Sequence, residues 1–198
     1  MLILLSGCSG AGKNTIIRAV TKMKPNIKFL QSCTTRPRRI NEPSDTYQYV
    51  SFVQFDEMQK RGEIFEIEEI HQNFYGITKA SLERIVEDDK NGVHYIKDIG
   101  VLGQLNLKRA LKNKVAVVSV FLRVPRGELI KRLQERGEKD IDLRLSRMEF
   151  EMGYSHTYDE IIRNVDIQKT IARLLKIIDK KRNSFEKANS QAKIKERV

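Results

Sequence analysis

A glycine-rich segment near the start of the chain, residues 7–15, contains the residue types that bind phosphate groups. It has the sequence GCSGAGKNT. Glycine lets a backbone adopt positive φ and approach a ligand closely, so that successive N–H groups can point at an anion. Lys13 adds a positive charge where the terminal phosphates of a nucleotide would lie. The segment follows the pattern GxxxxGK(S/T), except that Asn14 stands at the hydroxyl position and Thr15 brings the hydroxyl one residue later.

The sequence on either side predicts a strand before this phosphate loop and a helix after it. Residues 2–5 are aliphatic, which is typical of a buried strand, and apolar residues then recur at helical spacing. A helix that begins at the loop turns the positive end of its dipole towards a bound phosphate. A plain strand-to-helix turn is the alternative interpretation. We predict that the loop binds a nucleotide through Gly7, Cys8, Ser9, Gly10, Ala11, Gly12, Lys13, Asn14 and Thr15.

A second cluster of phosphate-binding residue types lies at residues 32–39, which read SCTTRPRR. The segment follows a short predicted strand, residues 27–31, and ligands bind beyond the carboxyl ends of strands in an open α/β sheet. The planar guanidinium of arginine matches the geometry of phosphate oxygens. The arginines could also belong to a solvated loop. Because the phosphate loop stands nearby in the chain, we favour a second phosphate site.

Residues 47–76 interrupt the alternation of strands and helices. Short predicted strands surround a helix at residues 53–60, which indicates a small mixed lobe inserted into the main fold. The acidic segment GEIFEIEEI alternates enough to turn one carboxylate inward, from among Glu63, Glu66, Glu68 and Glu69. A carboxylate only accepts hydrogen bonds and suits a ligand edge with adjacent N–H donors. Guanine offers such an edge at N1 and its exocyclic amine, whereas adenine does not.

The rest of the chain predicts a single α/β domain. Residues 115–122 form an apolar run typical of a strand buried in a parallel sheet, residues 161–164 predict a last strand, and residues 167–181 an amphipathic helix. We expect an open, mainly parallel sheet with helices on both faces. The predicted core comprises residues 1–31, 93–124 and 155–182, and the inserted lobe lies within residues 32–92. Residues 183–198 form a basic tail, expected to be a disordered arm or a frayed helix.

Length and composition limit the function classes. The 198 residues suffice for one domain with a real core, and no apolar run approaches the roughly 20 residues of a membrane span. A strand beginning at residue 2 leaves no room for a signal peptide, and two isolated cysteines fit a reducing compartment, so we expect a cytoplasmic protein. The net charge of +11 raises the possibility of nucleic-acid binding. The polar tail holds much of that excess, and small polyanionic substrates explain the remainder, so we expect no nucleic-acid partner.

Six segments together resemble the guanylate kinase family. They read GCSGAGKNT, SCTTRPRR, YQYVS, GEIFE, NFYG and KDIGVLG, and the resemblance extends from Leu2 to about Ile178. It implies a P-loop nucleotide kinase that uses ATP and Mg²⁺ to phosphorylate GMP or dGMP. Nucleotides are then the partners, and the chain is expected to be a monomer or a homodimer.

The resemblance also implies roles for individual residues. The acceptor phosphate would lie between Arg36, Arg39, Tyr47 and Tyr75, and the guanine would be read by Ser32 and Glu66. Asp98 matches the first acid of the DxDxxG segment and, with the Thr15 hydroxyl, would hold Mg²⁺ near the substrate. The resemblance makes residues 32–92 the acceptor-binding lobe and residues 125–154 a lid. Residues 131–147 resemble the family's lid sequence, and its Arg136 and Arg144 would join Lys13 and Arg36 as catalytic residues. Arg132 and Asn164 would contact ATP, although Arg132 and Arg147 could instead be exposed on helix faces.

Three positions depart from the family pattern near the base. Ile77 replaces a small hydroxyl residue, Gly100 replaces the second acid of DxDxxG, and Leu102 replaces a glutamine. We predict that Thr78 supplies the missing hydroxyl. Two alternatives follow from these changes: a phosphotransferase with another nucleotide or a sugar phosphate as acceptor, and a non-catalytic interaction module of the same fold. Retention of Lys13 argues against the second.

Overall fold

The structure, a computed structural model, describes residues 1–38, 40, 42–44, 46–70, 72–135, 137–138 and 141–195, with side chains described up to residue 188. Its strands are β1 (Leu2–Ser6), β2 (Ile27–Phe29), β3 (Cys33–Thr34), β4 (Gln48–Tyr49), β5 (Ile64–Ile70), β6 (Asn73–Thr78), β7 (His94–Asp98), β8 (Val117–Arg123) and β9 (Glu160–Arg163). Its helices are α1 (Lys13–Met23), α2 (Phe52–Lys60), α3 (Lys79–Lys90), α4 (Val101–Ala110), α5 (Arg126–Glu135), α6 (Ile141–Gly153) and α7 (Ile167–Lys195). A short 3₁₀ helix, Ser155–Thr157, precedes β9.

A five-stranded parallel sheet forms the centre of the fold, in the order β2-β7-β1-β8-β9. Its middle strand β1 has five buried residues in sequence, because helices cover both faces of the sheet. One face packs against α1 and α7 through residues such as Ile16 and Leu174. The other face packs against α3 and α4 through residues such as Ile85 and Leu107. The predicted parallel sheet with helices on both faces is therefore confirmed.

A second, four-stranded sheet in the order β4-β3-β6-β5 lies in the predicted acceptor lobe. It is mixed, because β3 pairs in parallel with β4 and antiparallel with β6. Helix α2 begins with a capping box, in which Ser51 accepts from the Gln54 N–H and the Gln54 side chain accepts from the Ser51 N–H. Stacking of Phe55 on Phe74, with ring centroids 5.5 Å apart, joins α2 to this sheet.

Three elements differ from the sequence prediction. Helix α3 was not predicted, and its start is fixed by the Thr78 hydroxyl, which accepts from the Ser81 N–H. The two-residue strand β3 lies in the segment we expected to be a polar loop. Helix α7 continues through the predicted tail to Lys195, well beyond residue 181. The limits of core, lobe and lid stay predictions. Within the described residues, no helix combines the length and apolarity needed to cross a membrane.

Candidate active site

A cleft of about 450 Å³ lies at the carboxyl ends of β1 and β7, between the central sheet, the acceptor lobe and the predicted lid. Its walls bring together predicted site residues from distant parts of the chain: Gly7, Ser9, Lys13, Ser32, Arg36, Tyr47, Glu66, Tyr75, Asp98 and Arg144. The other lining residues include Glu68, Ile77, Lys97, Gly100, Arg147 and Glu151. One cavity thus joins the phosphate loop to the arginine-rich and acidic segments.

The phosphate loop connects β1 to α1 and depends on its glycines. Gly7 has φ of 147°, and a Cβ there would lie 2.7 Å from the backbone oxygen of Leu122. Gly12 caps α1 in the left-handed region, with φ of 87°. A side chain at either position would strain the backbone and displace its neighbours, so the loop needs glycine at both.

Two cations face this loop. The ammonium of Lys13 donates to the backbone carbonyl oxygens of Gly7 and Cys8, the second at 3.4 Å. Arg144 of α6 donates to the Ser9 hydroxyl at 2.7 Å and forms an ion pair with Glu138 at 2.6 Å. Arg144, which belongs to the predicted lid, therefore contacts the same loop that Lys13 contacts. The side chain of Cys8 is buried behind the loop.

Asn164 lies beneath the loop, and its predicted contact with ATP stays a prediction. The side-chain amide donates to the Ala11 carbonyl oxygen at 2.7 Å, and the Thr170 hydroxyl donates to its Oδ1 at 2.9 Å. The residue is 3% exposed, and both ends of its amide are hydrogen-bonded within the protein. Arg132 is also engaged, with Glu128 at 2.9 Å and the backbone oxygen of Asn164 at 3.3 Å.

Arg36 is the cation at the opposite side of the cleft. Its Nε donates to the Tyr75 hydroxyl at 3.1 Å, and its guanidinium lies 5.5 Å from the ring centroid of Tyr47. Its Nη2 donates to both carboxylate oxygens of Glu42, at 2.9 and 2.8 Å. Arg36, Tyr47 and Tyr75, the predicted phosphate clamp, therefore lie together, and the Glu42 carboxylate pairs with the arginine. Two further predicted residues, Arg39 and Arg136, lie outside the described residues.

The far end of the cleft carries the acidic strand β5. Glu66 lines the cleft and accepts from the Asn106 side-chain amide of α4 at 2.8 Å. Ser32 lines the same region and is buried, and Ile77 closes it as an apolar wall that also packs into the core. The Thr78 side chain caps α3 and bonds Ser81. Its predicted substitution for the missing hydroxyl stays a prediction. The sequence analysis did not identify Asn106, which holds the Glu66 carboxylate in place.

Lys97, at the end of β7, is a second residue that the sequence analysis missed. It is 3% exposed, pairs with Asp98 at 3.2 Å, and lies 5.2 Å from the ring centroid of Phe29 and 5.8 Å from that of Tyr47. Burial disfavours ionisation of Asp98, but Lys97 and then Lys13 outweigh it and hold the pKa of this carboxyl below its ordinary value. A charged residue inside an apolar strand was the available signal.

The Mg²⁺-binding roles of Asp98 and Thr15 stay predictions. Asp98 lines the cleft, and its lowered pKa favours the ionised form of its carboxyl. Thr15 is exposed in the first turn of α1, and the cleft walls do not include it. No group of three or more His, Cys, Asp or Glu side chains suited to a metal occurs among the described residues. One carboxylate fits Mg²⁺, which commonly binds through one or two carboxylates together with substrate phosphates.

The chain is similar to known proteins over nearly its whole length. The family model described as guanylate kinase matches residues 1–181. A guanylate kinase of Rickettsia bellii is 33% identical over 191 residues, covering 92% of this chain and 97% of the relative. A guanylate kinase of Thermotoga maritima is 30% identical over 186 residues, covering 91% of this chain and 87% of the relative.

A solved structure has the same fold. The crystal structure of guanylate kinase from Anaplasma phagocytophilum superimposes with a TM-score of 0.70 at 27% identity, covering 90% of this chain and 84% of that one. The order of the motifs, the parallel sheet with its phosphate loop and the family match lead to one conclusion. The chain belongs to the guanylate kinase family.

Proposed function

We propose that this protein transfers the γ-phosphate of ATP to GMP or dGMP, giving ADP and GDP or dGDP. As a member of its family it is a nucleoside monophosphate kinase. The observation that carries the choice of substrates is the shared cleft, in which Lys13 and Arg144 face the phosphate loop while Arg36 and Glu66 lie across the cavity. Such a cavity can hold a donor phosphate and an acceptor nucleotide together.

The proposed chemistry depends on positioning and on charge. Backbone N–H groups of the phosphate loop would hold the donor phosphates, and Lys13 and Arg144 would neutralise charge on the transferred group. Arg36, with the phenol groups of Tyr47 and Tyr75, would hold the acceptor phosphate in line. No side-chain nucleophile is needed in this class of reaction.

Asp98 would hold Mg²⁺, which supplies charge neutralisation between the donor phosphates when bound. Lys97 keeps the Asp98 carboxyl ionised and so ready for this role. Water must also be excluded from the closed site, because it competes with the acceptor for the phosphoryl group. The contact of Arg144 with Ser9 brings α6 over the loop, as such exclusion requires.

Base selection in this proposal depends on Glu66. Its carboxylate can only accept hydrogen bonds, and the Watson–Crick edge of guanine presents adjacent N–H donors. Ser32 lines the same cleft with a further polar side chain. The loss of a hydroxyl at Ile77 does not remove these groups, so we favour guanine nucleotides over other acceptors. Nucleotides as the binding partners and a cytoplasmic location form part of the same proposal.

A coupled ADP-release assay tests this function. ATP and Mg²⁺ are supplied with GMP, dGMP, AMP, UMP, CMP or ribose phosphates, and the initial rates are compared. We expect turnover confined to guanine nucleotides, and a loss of at least about a hundredfold in Lys13→Met. Lys22→Met, an exposed lysine later in the same helix, is the matched control and should retain full activity.

Glu66→Gln tests the base assignment separately. This variant should lose activity with GMP while its circular dichroism spectrum and unfolding midpoint stay near those of the wild type. Rapid turnover of a different acceptor by the wild type would refute guanine selection and retain phosphoryl transfer. Absence of turnover with every acceptor would refute the proposed activity itself.

A further inference from the structure

The carboxylate of Glu68 occupies the space in which a side chain at residue 100 would lie. An ideal Cβ on Gly100 would come 2.2 Å from Oε1 and 2.4 Å from Oε2 of Glu68. Gly100 has φ of −71° and ψ of 166°, an extended conformation that any residue can adopt. The backbone therefore does not require glycine at this position. Its absent side chain is what admits the Glu68 carboxylate.

Glu68 and Glu66 lie on the same side of β5, because side chains two apart in a strand point in the same direction. Both residues line the cleft. On the adjacent strand β6, Glu68 pairs with Tyr75 and Glu66 pairs with Ile77. The Glu68 side chain is 29% exposed and is paired with Arg147 of α6 at 2.6 Å. The end of the cleft near Glu66 thus contains a second carboxylate, which keeps some access to the cavity.

We propose that Glu68 is a second base-reading residue, which accepts a hydrogen bond from the exocyclic amine of the guanine acceptor. This inference rests on the proposed function. The guanine edge presents one N–H at N1 and two at the amine, and Glu66 already accepts one hydrogen bond from Asn106 through its Oε2. Two carboxylates on one strand face can divide them. The family pattern has an acidic residue at position 100. In this chain Glu68 of β5 supplies a carboxylate in that space, which the absence of a side chain at Gly100 leaves open.

A purely structural role is the competing explanation for Glu68. Arg147 bonds both Glu68 and Glu151, at 2.6 and 3.2 Å, and so connects the acceptor lobe to α6. Loss of that connection would weaken every acceptor equally. Loss of an amine contact would weaken only acceptors that carry the amine. Inosine monophosphate has the guanine ring without the exocyclic amine, and comparing it with GMP therefore separates the two roles.

The test measures kcat/KM for GMP and inosine monophosphate in four proteins: wild type, Glu68→Ala, Gly100→Asp and the double variant. Glu68→Ala should lose about tenfold or more with GMP and less than about twofold with inosine monophosphate, since one charge-assisted hydrogen bond is removed. Gly100→Asp should also impair GMP, because its side chain collides with Glu68. The double variant should regain much of the GMP preference, because the new carboxylate enters the vacated space.

Two control variants and one alternative variant separate loss of the amine contact from general loss of activity. Glu69→Ala removes the exposed neighbouring carboxylate and should leave both substrates unaffected. Arg147→Met breaks the same ion pair and should not change the ratio of GMP to inosine monophosphate. Glu68→Gln preserves volume, and it should still lower the ratio if the alanine variant proves too unstable to assay.

Equal losses with both substrates in the Glu68 variants, or no loss at all, would overturn the base-reading role. Calorimetric titration of GMP and inosine monophosphate gives the same comparison without catalysis. If the wild type turns over neither substrate, the proposed function fails, and the binding ratio still decides the role of Glu68.

Discussion

Asn164, directly after the last strand of the central sheet, donates its side-chain amide to the carbonyl oxygen of Ala11 in the phosphate loop, 2.7 Å away. The Thr170 hydroxyl of α7 fixes the opposite end of this amide. A Cβ on Gly12 would lie 2.9 Å from the same amide nitrogen. The conformation of the loop therefore depends on a residue more than 150 positions later in the chain.

Replacing Asn164 with alanine should loosen the loop. The carbonyl of Ala11 and the hydroxyl of Thr170 lose their buried partner, so we expect a free energy of unfolding lower by about 2 kcal/mol and a raised KM for ATP. Urea denaturation and steady-state kinetics measure the two effects. Asn26→Ala is the control, because it removes an exposed hydrogen bond from a side-chain amide to the Gly92 carbonyl oxygen. It should lower the free energy of unfolding by less than about 0.5 kcal/mol. Similar behaviour of the two variants would contradict the bracing role.

Replacing Lys97 with methionine should destabilise the protein at neutral pH. The change leaves Asp98, only 18% exposed, without its nearest cation. Removing one partner of a buried pair costs about 3 kcal/mol, and we expect a loss of that order in the free energy of unfolding. Lys28→Met, an exposed lysine on the adjacent strand β2, is the matched control and should change stability little.

The cost of Lys97→Met should depend on pH with a definite sign. The folded-state pKa of Asp98 lies below its ordinary value, so the ionised carboxyl stabilises the fold above the ordinary pKa and loses this effect as pH falls through the folded-state pKa. The difference between wild type and variant should be largest near pH 7 and shrink below about pH 4. Denaturation at several pH values tests this, and a constant difference would refute the coupling.

The Cys8 thiol should resist alkylation. Burial, followed by the nearby Glu151, raises its pKa from 9.0 to about 12 despite the adjacent Lys13 and the start of α1. In a Cys33→Ala background, iodoacetamide at pH 8 should react about a thousandfold more slowly with folded protein than with a model thiol, because the thiolate fraction falls by that factor. Urea-unfolded protein provides the control, and rapid reaction of the folded form would show that the thiol is accessible.

The residues that could be predicted from sequence are those whose type and local pattern agree. The phosphate loop could be predicted from one short segment that contains glycines, a lysine and an aliphatic strand. This was possible because the geometry of the loop comes from consecutive residues. The parallel sheet followed from apolar runs such as that of β8, whose two faces are both covered. Arg36, Tyr75 and Glu66 were located through the order of motifs, and the structure places them on one cleft.

Most of the contacts that the sequence analysis did not predict join segments that are distant in the chain. Asn164 and Thr78 have polar side chains at positions next to a proposed ligand, yet the first bonds the backbone of Ala11 and the second caps a helix. Lys97 carries a signal in its strand, but the partners that enclose it, Asp98 and the rings of Phe29 and Tyr47, are known only from the fold. Glu68 lies within β5 and Gly100 precedes α4, and only the folded chain brings these two residues together.

The pairing of Arg36 with Glu42 has a consequence for inorganic phosphate. A phosphate group that binds Arg36 does not enter an empty positive site. It must compete with the Glu42 carboxylate, whose two oxygens both accept from Nη2 of Arg36. Its net binding energy is therefore a small difference between two charge pairs. In the proposed function, an acceptor nucleotide would offset this cost through contacts of its base, which inorganic phosphate lacks. The Arg36–Glu42 pair would then make the clamp favour a whole nucleotide over the free anion.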